Sequence, residues 1–185
     1  DNPDYSHIIN GAQFKRVQGY LDGLAGDEIH PLTDTDADID SRLMPTMIVS
    51  EPAPDRDVMP TVLFAPILPL MHYDSLDDAI RFINERPRPL ALYVFGDNNS
   101  EIDQVRNNTV SGGLCINEVI MHVAQHDLPF GGVGDSGTGA YHGQAGFERL
   151  SHMKPIFIQS KINGLNFLLP PYGGLFKKAM ALMLK

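Results

Sequence analysis

The chain has 185 residues, of which 43% are hydrophobic, and its 14 basic and 23 acidic side chains give a formal net charge of −9. This acidic balance disfavours nucleic-acid binding, which depends on basic surfaces that displace counterions from phosphate. The single cysteine excludes an intrachain disulfide framework and favours a reducing, cytoplasmic setting.

The first predicted element is a helix that begins after Asn10, a residue type that caps helix N-termini. Its apolar positions recur at spacings of three and four, at Phe14, Val17, Leu21 and Leu24. The acidic stretch 33–40 lacks the spacing of a calcium loop and is predicted to be a solvated loop. A short strand is predicted at 44–49.

The segment 64–121 carries the strongest indication of fold class. Apolar runs at 64–73, 90–95 and 112–121 are predicted as strands, the first of them buried. Two helices, capped by Ser75 and Ser100, separate the three runs. Strands that alternate with helices imply crossover connections and a parallel sheet. The sequence therefore predicts an α/β fold with a parallel sheet and crossover helices.

Cys115 is the one residue that invites interpretation as a nucleophile, with His122 nearby in sequence. On a continuous strand the two would face opposite sides of the sheet, because their numbers differ by an odd count. Cys115 also lies in an apolar run, which favours a buried, inert thiol. His122 and His126 lack metal-ligand spacing on a helix, so no metal site is predicted.

The stretch 127–147 is rich in glycine and contains a formal G-x-G-x-x-G match at 132–137. A dinucleotide loop of this pattern would follow a strand and open a helix. Pro129 interrupts any strand before it, and three further glycines follow Gly137. We therefore predict a structural loop here, with the nucleotide loop as the alternative.

The residues of this stretch resemble the C-terminal signature of the aldehyde dehydrogenase superfamily. LPFGGVG at 128–134 and YHG at 141–143 are similar to the class 3 and coniferyl aldehyde dehydrogenase branch. The resemblance runs from Tyr5 to about Gln159. It implies a partial catalytic domain in residues 1–153, followed by an oligomerisation strand and a C-terminal tail in 154–185.

The resemblance also implies an activity: NAD- or NADP-dependent oxidation of an aldehyde, coniferyl or another aromatic or aliphatic one, to a carboxylic acid. In the family, the nucleophilic cysteine lies in a Gly-Gln-x-Cys segment upstream of the region that this chain resembles. The catalytic thiol and the general-base glutamate are therefore expected outside the chain. As an isolated C-terminal fragment it is expected to be inactive and to hold no cofactor. The alternative is a non-catalytic folded remnant or oligomerisation module.

Three residues are implied as site residues by the resemblance. Phe64 matches a phenylalanine that packs beside the nicotinamide ring, but Val62 stands where the family usually has a glutamate that binds the ribose hydroxyls. Asn117, five residues before His122, resembles the class 3 pattern that runs toward the aldehyde entrance; the alternative is a strand end and loop. Phe130 matches a residue lining the aldehyde tunnel; the alternative is an anchor for the loop.

The C-terminal segment is predicted to mediate association. By resemblance, the strand 155–159 joins a dimerisation sheet, which predicts a homodimer with Ile156 and Ile158 at or near the contact. The apolar stretch 175–184 contains two lysines and resembles a basic amphipathic helix. Because this stretch is too short to span a bilayer, docking onto protein is favoured over membrane contact.

Overall fold

The computed structural model describes Asn2, residues 4–162, Gly164 and residues 166–184. The chain divides into two compact units, which we call the first unit (Asp1–Arg86 with Asn98–Thr109) and the second unit (Pro87–Asp97 with Val110–Lys185). The domain boundary expected after residue 153 stays a prediction. In the described part of the chain, no helix has both the length and the apolar character needed to cross a membrane.

Helix α1 (Gly11–Leu21) opens the first unit as predicted. Asn10 has extended backbone, and its Oδ1 accepts a hydrogen bond from Gln13 N at 2.9 Å, which confirms it as the cap. The helix buries Phe14, Val17 and Leu21 and ends before Leu24. Local spacing and capping chemistry were therefore sufficient to define this element.

A three-stranded sheet packs with this helix in the first unit. Strand β2 (Met47–Ser50) pairs antiparallel with β1 (Ile29–Pro31) and parallel with β3 (Ile67–Leu70). The strand predicted at 44–49 is confirmed from Met47 onward. The core that forms between helix and sheet consists of Ile8, Phe14, Val17, Leu21, Met44, Met47, Val49, Val58 and Ile67.

The apolar run 64–73 differs from its prediction as a buried strand. Only Ile67–Leu70 is strand, and Leu68 and Leu70 are exposed. In the described residues, strand β3 is paired on one side only, so it is an edge strand. A proline is tolerated there because backbone N–H groups that point away from the paired strand need no partner. Apart from Ile67, the run is apolar without being buried within its own unit.

Helices α2 (Leu76–Asn84) and α3 (Asn99–Asn108) complete the first unit. Ser75 caps α2, as predicted, by accepting a hydrogen bond from Asp78 N at 3.3 Å. The predicted cap of α3 is wrong: Asn98 is the cap, and its Oδ1 accepts from the backbone of Ser100 at 3.0 Å. Both residue types cap helices, so their order alone did not decide between them.

The second unit contains a two-stranded parallel sheet of β4 (Ala91–Val94) and β5 (Gly113–Ile116). The chain passes from one strand to the other through α3, so the α/β class is confirmed. The single three-stranded parallel sheet implied by residues 64–121 is wrong, because β3 pairs with β2 and not with β4. The strand predicted to reach residue 121 also ends at Ile116.

Three helices follow in the second unit: α4 (Met121–Ala124), α5 (Gly143–Leu150) and α6 (Gly174–Met183). The strand predicted at 155–159 is not formed. Ile156, Phe157 and Ile158 are 75%, 84% and 84% exposed. A strand needs a neighbour that accepts and donates its ladder hydrogen bonds, and none lies beside this segment in the described residues.

Candidate functional site

Phe64 lies on the loop before β3 in a left-handed conformation, with φ of 48°, and its ring is 87% exposed. It lines an open groove of about 860 Å³ together with Tyr5, Ile9, Ala65 and other residues of the first unit. A bulky residue at positive φ is uncommon and marks a constrained loop. The structure therefore displays the ring in a constrained loop instead of burying it in a core.

The loop that carries Phe64 is fastened from α1. Arg16 donates from Nη2 to the carbonyl of Leu63 at 2.7 Å, while its Nε donates to Gln13 Oε1 at 2.6 Å. Tyr20 lies beside the guanidinium, which is 5.4 Å from the ring centroid. The role of Arg16 could not be predicted from the sequence, because its partner carbonyl is 47 residues away along the chain.

The fit of this edge to a nicotinamide cofactor is poor. Val62 is 67% exposed and has a hydrocarbon side chain, so it offers no acceptor to a ribose hydroxyl. Leaving such a hydroxyl unpaired in a closed site costs about 1–3 kcal/mol. Val62 therefore lacks the chemistry to bind a ribose hydroxyl.

Asn117 lies at the carboxyl end of β5, in a left-handed conformation with φ of 56°. Its Nδ2 donates to the carbonyl of Gly96 at 2.9 Å, and its Oδ1 accepts from the Gly96 N–H at 2.8 Å. Both ends of the amide are thus occupied by the backbone that follows β4. This geometry favours the strand-end interpretation, in which Asn117 joins the ends of two parallel strands.

Phe130 is half-buried at the start of the glycine-rich stretch. Its backbone forms an antiparallel bridge with Tyr141, with two N–H to carbonyl hydrogen bonds of 2.9 Å. Its ring centroid lies 5.7 Å from that of Tyr141, 6.0 Å from that of His142 and 5.4 Å from that of His122. Tyr93 of β4 lies 5.9 Å from His122, and we call these five residues the ring cluster.

The glycine-rich stretch is a structural loop, as predicted. A Cβ at Gly131 would lie 2.0 Å from the carbonyl oxygen of Gly139, and one at Gly132 would lie 2.1 Å from that of Ser136. Two backbone segments therefore pass each other at a distance that admits no side chain. Helix α5 begins at Gly143, six residues after the G-x-G-x-x-G match, so the nucleotide-loop alternative is wrong.

Cys115 lies in β5 opposite Tyr93 and is half-buried, less enclosed than predicted. The argument from strand alternation does not apply to His122, which lies on α4 after the strand has ended. The interpretation of His126 as a loop residue is confirmed, but that of His122 is wrong. No hydrogen bond joins the Cys115 thiol to a histidine among the described residues.

The acidic stretch 33–40 is exposed, as a solvated loop should be. Asp38 accepts hydrogen bonds from the Ser41 hydroxyl at 2.5 Å and from the backbone N–H groups of Asp40 and Ser41 at 3.0 and 3.2 Å. These bonds lower the pKa of the Asp38 carboxyl, and the bond from the Ser41 hydroxyl contributes most. In the part of the chain that the structure describes, no three His, Cys, Asp or Glu residues come together as metal ligands.

The contact between Glu51 and His72 was not predicted from the sequence. Glu51 follows β2 with φ of 50°, and its carboxylate accepts from His72 N at 2.8 Å and contacts His72 Nδ1. The hydrogen bond from the imidazole lowers the pKa of the Glu51 carboxyl, with a further contribution from the backbone N–H of His72. The pair joins the carboxyl ends of β2 and β3 and is exposed, so it serves the sheet and is not a candidate site.

Comparisons with known proteins identify relatives over most of the chain. Residues 1–156 match the model of the aldehyde dehydrogenase family. The chain is 43% identical over 178 residues to a probable coniferyl aldehyde dehydrogenase of Pseudomonas aeruginosa, covering 96% of this chain. It is 40% identical over 160 residues, or 86% of this chain, to a bovine protein named aldehyde dehydrogenase, dimeric NADP-preferring.

A solved structure of Staphylococcus aureus AldH in a substrate-bound state superposes with a TM-score of 0.79 at 38% identity, covering 98% of this chain. The chain spans 37% of the length of the Pseudomonas relative, 65% of the bovine one and 39% of the Staphylococcus chain.

Proposed function

Because this chain belongs to the aldehyde dehydrogenase family, we propose that it forms the C-terminal part of a catalytic domain that oxidises aldehydes to carboxylic acids with NAD or NADP. The proposal rests on the Phe130 geometry within a stretch that follows the family signature. The catalytic thiol and the general base are supplied by parts of the enzyme that correspond to none of these 185 residues. The same composition that favours a reducing setting supports a cytoplasmic location.

The substrate class that the ring cluster fits is an aromatic or apolar aldehyde, such as a coniferyl-type one. The half-buried Phe130 ring is flanked by Tyr141 and His142, which present further flat surfaces on the same loop. Such walls favour ring stacking and exclude water from an apolar substrate. Asn117 contributes indirectly in this proposal, because its amide is engaged with the backbone of Gly96.

The isolated 185-residue polypeptide is proposed to be inactive and to bind no nicotinamide cofactor. Its one thiol, that of Cys115, is half-buried in β5, and Val62 offers no hydrogen-bond acceptor to a ribose. A cysteine enzyme needs a thiolate together with a base within reach. Phe64 remains as the only cofactor contact that the resemblance assigns to the first unit.

The activity test measures absorbance at the wavelength of reduced nicotinamide, with NAD or NADP and with coniferyl and short aliphatic aldehydes. We expect no turnover by the 185-residue polypeptide and no cofactor binding at micromolar concentration by calorimetry. The Cys115→Ser variant is the control. Turnover that this variant abolishes, or saturable binding lost on Phe64→Ala, would contradict the inactivity. Absence of aldehyde oxidation by a longer gene product containing Gly-Gln-x-Cys would contradict the proposed function itself.

Association into a homodimer is the second part of the proposal. The segment 155–159 exposes Ile156, Phe157 and Ile158, and no apolar side chain of the second unit becomes fully buried in the described residues. Unpaired backbone and exposed apolar side chains favour addition of a strand from another copy. The bovine relative carries the word dimeric in its name. This exposed segment also supports the second candidate function, a non-catalytic oligomerisation module.

The association test is light scattering on the polypeptide at tens of micromolar. We expect a dimer that Ile158→Lys weakens, because a charge placed in an apolar contact is costly to desolvate. Ile162→Lys provides a matched control, since Ile162 is 86% exposed and lies outside the segment. A monomer, or a dimer that neither substitution affects, would contradict the proposed interface.

The C-terminal tail is proposed to dock onto protein and not onto a membrane. Tyr172 stacks on Phe176 of α6 with ring centroids 4.3 Å apart. The half-buried Phe176, Ala179 and Met180 mark one face of this helix, while Lys177 and Lys178 are exposed. An intrachain aromatic contact of this kind already uses part of the apolar surface that a membrane helix would insert.

A further inference from the structure

Within the ring cluster, two imidazoles have ring nitrogens that are buried without a hydrogen-bond partner in the described part of the chain. They are both nitrogens of His122 and Nδ1 of His142. An imidazole always carries at least one N–H, and a buried donor left unpaired is unfavourable. His122 therefore occupies its place through the shape and contacts of its flat ring, and its hydrogen-bonding capacity is unused.

The chain reaches His122 through a strained segment. Asn117 and Ile120 both have left-handed backbone, with φ of 56° and 65°. Ile120 is β-branched, for which this conformation is a genuine outlier, and strain of this kind persists only where surrounding contacts enforce it. Here Asn117 is held by the backbone of Gly96 on one side of the segment, and His122 is held by its ring contacts on the other.

His122 lies directly against the β4–β5 sheet. A Cβ built on Gly113 would be 2.7 Å from His122 Cδ2 and 3.3 Å from Nε2, so the ring covers the backbone of β5 where no side chain stands. The ring of Tyr93, on β4, meets the imidazole edge-on at an interplanar angle of 71°. The imidazole is thereby placed by two strands of regular structure.

The His122 ring also lies beside Phe130, with 5.4 Å between the centroids and an interplanar angle of 51°. The other ring neighbours of Phe130 are Tyr141 and His142, which belong to the same glycine-rich stretch. Among the ring contacts of Phe130, only the contact with His122 connects it to the β4–β5 sheet in the described residues. A ring whose other ring neighbours all belong to its own loop has more freedom than one that also contacts a residue packed on the strand pair.

We propose that His122 is a positioning residue: its imidazole, seated on Gly113 and Tyr93, holds the Phe130 ring in the orientation that selects the aldehyde. The selection of substrate rests on the function proposed above, whereas the positioning of Phe130 does not. This arrangement requires a flat ring of five or six members at position 122. It does not require the nitrogen atoms of the imidazole.

The first experiment measures the order of the Phe130 ring by NMR in the polypeptide with selectively labelled phenylalanine, together with cross-relaxation between Phe130 and His142 protons. Neither quantity is read from a chemical shift, so loss of the His122 ring current cannot by itself change either one. We expect His122→Leu, which fills the volume without a ring, to increase the disorder of Phe130 and to weaken the cross-peaks. His122→Phe should restore both. His152→Ala, at an exposed histidine of the same unit, is the control.

His122→Ala serves as a second ring-deleting variant if the leucine variant fails to fold. An ordered Phe130 ring with unchanged cross-peaks in either folded variant overturns the proposal. A failure of His122→Phe to restore them also overturns it, because the effect would then depend on the nitrogen atoms or on general stability.

The second experiment uses a protein that contains this chain together with the Gly-Gln-x-Cys segment of the proposed function. With the leucine variant, KM for an aromatic aldehyde should rise about tenfold while kcat falls less, since a misfit of about one methylene in an apolar pocket changes discrimination by roughly 10–200-fold and the displaced Phe130 ring is placed at the low end of that range. The phenylalanine variant should regain the KM of the unaltered enzyme. If the unaltered enzyme oxidises no aldehyde, the proposed function fails and the NMR result alone decides the role of His122. An equal loss of kcat for all aldehydes would overturn the selective role.

Discussion

Gly112 offers the most demanding test of the second unit's packing. It precedes β5, and its N–H donates to the carbonyl of Pro89 at 3.0 Å. A Cβ built there would lie 2.2 Å from the carbonyl oxygen of Gly131, 2.6 Å from that of Leu90 and 3.0 Å from Gly132 Cα. All three atoms are backbone, on two different segments. Gly112→Ala should therefore force the glycine-rich stretch away from the strand.

The expected magnitude follows from what must move. Overpacking a site costs about 1–3 kcal/mol, and the upper end applies where backbone on two sides must shift. We expect Gly112→Ala to lower the free energy of unfolding by about 3 kcal/mol, a large fraction of the roughly 5–15 kcal/mol that stabilises a typical domain.

Two other glycines calibrate this value. At Gly113 the added Cβ meets the side chain of His122 at 2.7 Å, which can shift more readily than backbone, so Gly113→Ala should cost about 1 kcal/mol, at the low end of overpacking. At Gly96 nothing lies within 4 Å of the added atom, and Gly96→Ala should change stability by less than about 0.5 kcal/mol.

The assay is urea unfolding followed by far-UV circular dichroism and by tyrosine fluorescence, since the chain has no tryptophan. We expect Gly112→Ala to be the most destabilising substitution, Gly113→Ala to be less so and Gly96→Ala to be the least. A folded Gly112→Ala protein as stable as Gly96→Ala would refute the close approach of the two backbone segments.

Two further substitutions test individual elements. Hydrogen bonds from the Ser75 hydroxyl and, to a smaller extent, from Arg81 lower the pKa of the Asp78 carboxyl in the folded chain. The stabilisation that they provide is fully present above the ordinary carboxyl pKa of about 4, and it is lost as pH falls through the lowered pKa of the folded chain. The advantage of the unaltered chain over Ser75→Ala should therefore shrink between pH 6 and pH 2, and an advantage constant over that range in thermal melts would argue against the carboxylate's part. Ile120→Gly should raise the free energy of unfolding by about 1 kcal/mol, because glycine adopts φ of 65° without strain; a loss in urea unfolding would show that the isoleucine side chain matters more than its backbone.

Helices α1, α2 and α3 could be predicted from the sequence because their signals are local, whereas α4 and α5 were not predicted. Asn10 and Ser75 cap the helices expected of them, and the apolar spacing after Asn10 marks the buried face of α1. The cap of α3 was misplaced by two residues, because Asn98 and Ser100 can both accept a hydrogen bond from a helix N-terminus. An error of that size leaves the helix and its face unchanged.

Strand partners could not be predicted in the same way. The run 64–73 and the run 90–95 were expected in one sheet, yet β3 pairs with β2, which comes some twenty residues earlier along the chain. Apolar composition indicates that a strand is favourable but carries no information about its neighbour. The stretch 155–159 shows the same limit, since its apolar residues form no strand without a partner ladder.

The site residues divide along a similar line. Phe130 was predicted as a site residue because a contiguous motif surrounds it, and its ring lies among other rings. Asn117 and Phe64 were predicted by the same resemblance, but their left-handed conformations were not, because φ depends on distant contacts. The ties that matter most here join Asn117 to Gly96, 21 residues away, and Arg16 to Leu63, 47 residues away.

Close backbone contacts explain why the second unit can keep a defined loop although none of its described apolar side chains is fully buried. The backbone of the glycine-rich stretch is located by close contact at Gly112 and by the two-way bridge between Phe130 and Tyr141. The imidazole of His122 then connects this loop to the sheet through side-chain contacts. Close backbone contact and ring packing thus hold the half-buried Phe130 in place, although no apolar side chain in the described part of the second unit is fully buried.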